Sequence, residues 1–107
     1  MQTTISRENK LVTLINVFNV EPKHQQELVD LLVEATEKVM RNIPGFISAN
    51  IHKSFDSTKV VNYAQWESRE AFEAMLQNEE AKPHMAKTES IAKPEPHLYE
   101  VSYIDHK

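Results

Sequence analysis

Residues 60–67 have the pattern of a β-strand that runs directly into a helix, and this stretch constrains the fold most strongly. Successive side chains of a strand point to opposite faces, so every second residue shares a face. One face of this stretch carries Val60, Asn62, Ala64 and Trp66. Trp66 is the only tryptophan of the chain, so this face holds its one indole beside a carboxamide. We expect the face either to cover a hydrophobic core or to line a ligand pocket.

Strand and helix patterns alternate along the rest of the chain. Runs rich in valine, isoleucine and aromatic residues predict strands over residues 11–20, 46–55, 60–67 and 97–105. Apolar residues spaced three and four apart predict a first helix over residues 22–43. The order βαββαβ is the ferredoxin-like pattern. It predicts an α+β fold, in which helices cover one face of a four-stranded antiparallel sheet.

The second helical region is predicted in two pieces. Ser68 is a suitable cap for a helix, and Pro83 begins a further helical piece after a break over residues 78–82. Pro94 and Pro96 then indicate a stiff loop before the last strand. At 107 residues the chain is long enough for one domain, which we expect over residues 11–107. Residues 1–10 are polar and without a pattern, which predicts a flexible N-terminal segment.

Composition excludes several classes of function. The net charge of −4 argues against nucleic acid as a partner, and the sequence has no apolar run of the length that a membrane span needs. The chain has no cysteine, which excludes disulfides and thiolate metal sites and fits a cytoplasmic location. Its single glycine, Gly45, rules out a Rossmann dinucleotide site. The five histidines have no metal-binding spacing, so we expect no metal.

The sheet face that the helices leave open is rich in isoleucine and valine in this prediction. An exposed apolar surface of that size usually marks an association surface. We therefore expect a homodimer in which two copies pair through their sheets.

Two strings of the sequence closely resemble the antibiotic biosynthesis monooxygenase domains. They are IPGFISANIHKS at residues 43–54 and VVNYAQWESREAF at residues 60–72. The resemblance is to the small cofactor-independent oxygenases of this family that convert anthrone-type polyketides to quinones. It implies a dimeric α+β barrel built from two ferredoxin-like units. It also implies a monooxygenase that needs no cofactor and acts with O2 on a small electron-rich aromatic substrate, such as an anthrone, phenol or hydroquinone.

The resemblance also implies a set of catalytic residues. Asn62 and Trp66 match the amide and the indole that these enzymes use at the substrate, and His52 matches a pocket histidine. Two neutral donors suit the stabilisation of a developing oxyanion. A histidine suits the acceptance of a proton near neutral pH.

Four further residues are expected to bind the substrate: Asn16, Phe18, Phe72 and Met75. Phe72 departs from the family, because its best-known member has a tyrosine there. That member also has an arginine in the second helical region, whereas residues 85–87 of this chain include none. His84 is interpreted as a surface residue. An asparagine such as Asn16 needs a hydrogen-bond partner if it is buried in the first strand.

Two alternatives remain open from the sequence. Haem-degrading relatives share the fold, and Asn16 matches their strand-one asparagine. Met75 and Met85, however, stand near the positions of their catalytic tryptophan and haem-ligating histidine, with His84 adjacent. The second alternative is a non-catalytic dimeric domain that binds a small molecule, which Phe72 and the missing arginine would fit.

Overall fold

A computed structural model of the chain describes residues 2–7 and 10–107. Within these residues the chain forms four strands and three helices, whose bounds in chain order are β1 Val12–Val20, α1 Gln25–Lys38, β2 Phe46–Lys53, β3 Lys59–Trp66, α2 Arg69–Leu76, α3 Ala81–Glu89 and β4 Ala92–Tyr99. Short 3₁₀ turns flank α1 at Pro22–His24 and Met40–Asn42. No helix of the described residues has both the length and the apolar character that crossing a membrane requires.

The strands form one antiparallel sheet with the order β2-β3-β1-β4. This order places β1 and β3 at the centre and β2 and β4 at the edges. The predicted ferredoxin-like α+β fold is confirmed, with the second helical region divided into α2 and α3. In the register of the central strands, Asn16 of β1 lies opposite Asn62 of β3.

The helices pack on the sheet face that carries Asn62 and Trp66. Two groups of buried side chains join the layers: Leu14, Ala64 and Trp66 with Val39, Ile43, Phe72 and Met75, and Phe18, Val20 and Val60 with Leu28 and Leu32. Leu28 and Val60 are fully buried. Burial of apolar surface stabilises such layers by roughly 25 cal/mol per Å². The two groups therefore hold α1 and α2 in fixed positions over the sheet.

The helix boundaries of the second helical region follow from capping. The Ser68 hydroxyl accepts a hydrogen bond from the Ala71 N–H at 3.0 Å, as predicted for the cap of α2. The Asn78 side-chain carbonyl accepts from the N–H groups of Glu80 and Ala81, at 2.8 and 3.0 Å. This side chain allows α3 to begin at Ala81, two residues before Pro83. The proline lies in the first turn, where its missing N–H breaks no helical bond.

The prediction for the last strand was wrong. The strand is Ala92–Tyr99, so the two prolines expected in a loop lie inside it, and the prediction over residues 97–105 overlaps it only at its end. An edge strand forms backbone hydrogen bonds with a neighbouring strand on one side only. Every second residue of such a strand points its backbone N–H to the unpaired side, so a proline there removes no hydrogen bond of the sheet. Pro94 and Pro96 have this spacing. The Glu95 N–H between them donates to the Asn16 side-chain carbonyl at 3.1 Å.

The N-terminal segment contacts the sheet face that is opposite the helices. The Thr3 hydroxyl donates to the Asn50 side-chain carbonyl at 2.7 Å, and the Gln65 amide donates to the Thr4 backbone carbonyl at 2.8 Å. Gln65 is buried although it lies on this face. The flexibility of residues 1–10 stays a prediction, and so does the start of the domain at residue 11. Residues 1, 8 and 9 of this segment lie outside the described residues.

Candidate active site

A cavity of about 150 Å³ lies between the helices and the inner face of the sheet. Most of its wall is apolar, with side chains that include Leu14, Phe18, Leu32, Ala35, Phe46, Ala49, Met75 and Met85. Its polar lining comprises Asn16, Thr36, Asn62, His84, Thr88 and Glu89, together with the indole of Trp66. The wall also includes the exposed residues Leu76, Glu89 and Pro96, so the cavity opens to the surface there. A mostly apolar cavity with a few polar groups is the usual form of a small-molecule site.

Asn62 and Trp66 reach the cavity from the same face of β3. Among the described residues, neither the Asn62 side-chain oxygen nor the Trp66 indole nitrogen has a hydrogen-bond partner, although both atoms are buried. A buried polar group without a partner costs about 1–3 kcal/mol. Such groups are rare in native proteins, and each therefore needs an explanation. A polar ligand atom in the adjoining cavity would supply what the protein does not.

Trp66 is held in place by two other aromatic rings. Its indole forms T-shaped pairs with Phe46, with ring centroids 5.5 Å apart, and with Phe72, with centroids 6.2 Å apart. Its exposed fraction is 2%. Edge-to-face pairs of this kind are each worth about 0.5–1.5 kcal/mol beyond the area they bury. The indole is therefore fixed before any ligand arrives.

Asn16 lies opposite Asn62 in the sheet register and also lines the cavity. Its side-chain oxygen already accepts a hydrogen bond from the Glu95 N–H. Asn16 thus has the hydrogen-bond partner that we expected for an asparagine in this strand. The two asparagines thus differ in their hydrogen bonding: the oxygen of Asn16 ties β4 to β1, whereas that of Asn62 stays unpaired within the described part of the chain.

The other three residues expected at the substrate also lie in the cavity wall. Phe18, Phe72 and Met75 are all buried, with exposed fractions of 3%, 9% and 6%. Each belongs to the packed core as well as to the wall. The structure thus brings Asn16, Phe18, Asn62, Trp66, Phe72 and Met75 together around one space. Their roles toward a substrate stay predictions.

His52 does not line this cavity, so the prediction that it is a pocket histidine is wrong. It pairs with Val61 across the sheet, so it shares the open face of the sheet with that residue and is exposed. Its ring nitrogen Nδ1 lies 3.1 Å from the Asn50 backbone oxygen. The cause is an irregularity in β2 between Phe46 and Ser48. A bulge inserts one residue, which moves every following side chain to the other face.

His84 is an ionisable cavity residue that was not predicted from the sequence. It was interpreted as a surface residue, but it is half-buried and lines the cavity from α3, as do Met85 and Thr88. Because α3 begins at Ala81, residues 84, 85 and 88 lie on one helical face. The spacing was visible in the sequence, whereas the direction of that face depends on how α3 packs.

Among the described residues, no group of three or more His, Asp or Glu side chains could hold a metal ion.

The chain is similar to known proteins in both sequence and structure. The family model described as antibiotic biosynthesis monooxygenase matches residues 11–87. Tetracenomycin-F1 monooxygenase of Streptomyces glaucescens is 46% identical over 100 residues, which cover 94% of this chain and 89% of that protein.

Two solved structures are similar over most of the chain. A monooxygenase from the gene ActVA-Orf6 of Streptomyces coelicolor, in complex with Nanaomycin D, is 31% identical with a TM-score of 0.73. The similarity covers 90% of this chain and 91% of that one. SnoaB of Streptomyces nogalater, described as a cofactor-independent oxygenase, has a TM-score of 0.77 at 24% identity and covers 88% of this chain and 95% of its own. The likeness to SnoaB concerns the fold alone.

Proposed function

This chain belongs to the antibiotic biosynthesis monooxygenase family and is a monooxygenase, and we propose that it oxidises an electron-rich aromatic compound to a quinone with O2. The substrate class is an anthrone, a phenol or a hydroquinone. Tetracenomycin-F1 monooxygenase, at 46% identity, supports an aromatic polyketide as the substrate.

The observation that carries the proposal is the pair of unpartnered polar groups beside the cavity. Within the described residues, the Asn62 side-chain oxygen and the Trp66 indole N–H are buried without partners. The Asn62 amide also offers N–H donors. Preorganised donors that act on developing negative charge, in a site that excludes water, usually make the largest single contribution to catalysis. Trp66 through its indole N–H, and Asn62 through its amide N–H groups and not through its oxygen, suit the stabilisation of an anionic aromatic oxygen.

The chemistry requires little else from the protein. Ground-state O2 is a triplet and reacts slowly with neutral closed-shell molecules, but an electron-rich anion can transfer one electron to it directly. The substrate then supplies the reducing electrons itself, so the proposal includes no resident cofactor. The protein has to stabilise the anion, orient it and exclude water. The apolar wall suits the last of these tasks.

The size of the cavity indicates how the substrate would lie. The cavity volume is about 150 Å³. An apolar cavity of about that volume is known to hold a single aromatic ring such as benzene. We place the reacting ring next to Asn62 and Trp66, and further rings of a polycyclic substrate toward the opening at Leu76 and Pro96.

A homodimer through the open sheet face is part of the proposal. This face carries half-buried Ile15, Val17, Val61 and Tyr63 at its centre, where the register places them side by side. A second copy would cover these apolar groups. The cytoplasm is proposed as the location, because a chain without cysteines is suited to a reducing compartment.

Oxygen uptake with dithranol, a simple anthrone, tests the proposal. We expect one O2 consumed per quinone formed, with one heavy oxygen atom in the product when isotopically labelled O2 is supplied. Asn62→Ala should lower the rate by about 10²–10³-fold, the usual loss for one such donor. Asn19→Ala is the matched control, because Asn19 is an exposed strand asparagine that does not line the cavity.

Two results would reject the proposal. If the wild-type protein consumes no O2 with anthrones or hydroquinones but binds hemin with a histidine-ligated Soret spectrum, haem degradation replaces it. If it consumes no O2 and only binds aromatic ligands, the non-catalytic alternative replaces it.

A further inference from the structure

His84 is an imidazole in the wall of the cavity that contains Asn62 and Trp66. The other histidines of the described chain do not line that cavity. His84 is half-buried, and its imidazole makes no hydrogen bond within the described residues, so the ring is available to a ligand. It lies in the first half of α3, whose first residue, Ala81, donates its N–H to the Asn78 side chain.

We propose that His84 is the catalytic residue that takes the proton from the substrate hydroxyl and returns it to the peroxide. This inference rests on the proposed function and replaces His52 in the role that the sequence suggested for it. The reason is chemical. Asn62 and Trp66 are neutral and stabilise an anion, but neither can accept the proton that the substrate must lose. A histidine can take up and release a proton near neutral pH.

Among the side chains that line the cavity, His84 is the one suited to accept the proton of the substrate. The wall contains one other ionisable side chain among the described residues, Glu89, which is exposed at the end of the same helix. Of the neighbouring elements, α1 contributes Thr36 to the wall, and β4 contributes Pro94 and Pro96, none of which ionises in the relevant range. Met85 and Thr88 extend the wall on the α3 side, and the Thr88 hydroxyl is already bonded to the Met85 backbone oxygen at 2.8 Å.

The proposed sequence balances in atoms and electrons. An anthrone reacts through its enol form. The imidazole takes the proton of the enol hydroxyl, and the electron pair stays on the substrate oxygen and is delocalised to the opposite ring carbon. The resulting anion gives one electron to O2, and the organic radical and superoxide combine to form a carbon–oxygen bond. The imidazolium then protonates the outer peroxide oxygen. The O–O bond breaks, the hydrogen of the same carbon leaves with the hydroxide as water, and the quinone remains. One substrate and one O2 thus give one quinone and one water.

The first experiment compares His84→Gln with His52→Gln in oxygen uptake with dithranol. Glutamine keeps polarity and approximate size but cannot accept a proton. We expect His84→Gln to lose about 10²–10⁴-fold in rate, the usual contribution of a general base. The loss of rate in His84→Gln should be smaller for substrates with more acidic hydroxyls. In a further variant, His84→Ala, added imidazole should restore part of the activity. His24→Gln is the control expected to keep full activity, because the His24 ring contacts Glu27 at 3.0 Å and does not line the cavity.

A second measurement does not depend on turnover. A dihydroxyanthraquinone bound in the cavity changes colour when its hydroxyl ionises. In the wild-type protein we expect this ionisation at a lower pH than in His84→Gln, because the imidazole accepts the proton. The proposed function fails if the wild-type protein takes up no O2, whatever the colour change. The His84 inference fails if the colour change occurs at the same pH in both proteins, or if His52→Gln loses activity and His84→Gln does not.

Discussion

The Trp66 indole and the Phe72 ring form a T-shaped pair, with centroids 6.2 Å apart and planes at 70°. This contact and the one to Phe46 fix the indole without using its N–H. Trp66→Phe keeps an aromatic ring at this position and removes the N–H. We expect the variant to lose about 10²–10³-fold in oxygenase rate. It should unfold at a denaturant concentration closer to wild type than Trp66→Ala, for which a loss of about 3–5 kcal/mol is typical.

Oxygen uptake and urea unfolding measure the two effects separately. If Trp66→Phe keeps the wild-type rate, the indole N–H has no part in catalysis and Trp66 is only a core residue.

Ligand binding at the cavity should quench the fluorescence of the protein. Trp66 is the only tryptophan, so its emission reports on this site alone. A dihydroxyanthraquinone should quench it to saturation. Ala49→Leu, which adds volume to the cavity wall, should weaken the binding, because added methylenes in a packed site are tolerated poorly. Ala74→Leu makes the matched control, since Ala74 is exposed on α2. Equal affinities of the two variants would show that the ligand binds elsewhere.

Gly45 is required by both its backbone and its surroundings. Its φ is +91°, and a Cβ at this position would lie 2.4 Å from the Cβ of Ala71. Its backbone oxygen also accepts the Glu67 N–H at 2.7 Å, so the loop cannot easily move away. We expect Gly45→Ala to lose about 1–3 kcal/mol from overpacking, in addition to the strain of a positive φ. Urea denaturation measures the loss.

Ser57→Gly is the comparison for the backbone effect. Ser57 also has a positive φ, of 67°, in the turn between β2 and β3. Glycine relieves that strain, so the variant should be as stable as wild type or slightly more stable. A Gly45→Ala protein of wild-type stability would mean that α2 moves away from the loop.

Asp56 should make the stability of the β2–β3 turn depend on pH. Its carboxylate accepts the Thr58 hydroxyl at 2.7 Å, the Thr58 N–H at 3.0 Å and the Ser54 hydroxyl at 2.8 Å. These bonds, first that of the Thr58 hydroxyl, lower its pKa to about 2. A pKa lowered by folding stabilises the protein above the pKa of the unfolded chain, near 3.9, and the gain is lost as the pH falls toward the folded value.

The comparison of wild type with Asp56→Asn checks this sign. The difference in free energy of unfolding should be constant above about pH 5 and shrink between about pH 4 and 2. An NMR titration of the carboxyl gives the folded pKa directly. A pKa near the ordinary value would mean that these bonds do not persist in solution.

A charge on the open sheet face should disrupt the proposed dimer. Val17 lies at the centre of this face and is half-buried. Val17→Lys would place an ammonium group against a second copy, at a high desolvation cost. We expect a shift from dimer to monomer in sedimentation velocity, while Val33→Lys on the exposed side of α1 leaves the dimer intact. A dimer unaffected by Val17→Lys would place the interface elsewhere, and a monomeric wild-type protein would reject the dimer.

Local patterns in the sequence predicted most of the secondary structure because each is decided by neighbours in the chain. The alternation in β3 grouped Asn62 with Trp66, and the spacing in α1 identified Leu28, Leu32 and Ala35 as its buried side. Ser68 predicted the start of α2 through its own hydrogen bond. The order of these elements then predicted the ferredoxin-like sheet.

The errors occurred where a distant part of the chain decides the outcome. The prolines of β4 are tolerated because that strand is at the edge of the sheet, which only the strand order determines. The bulge after Phe46 reversed the face of His52, because it depends on the pairing of β2 with β3.

The order of strands and helices, the family and the shared face of Asn62 and Trp66 all followed from the amino-acid sequence. The packing of the elements was needed to show that this face borders a cavity and that two of its polar atoms have no partner among the described residues. It was also needed to show that His84, and not His52, lines the same cavity. The physical reason is that periodicity fixes the relative directions of side chains within one element. The packing of elements against each other fixes which of those directions meet.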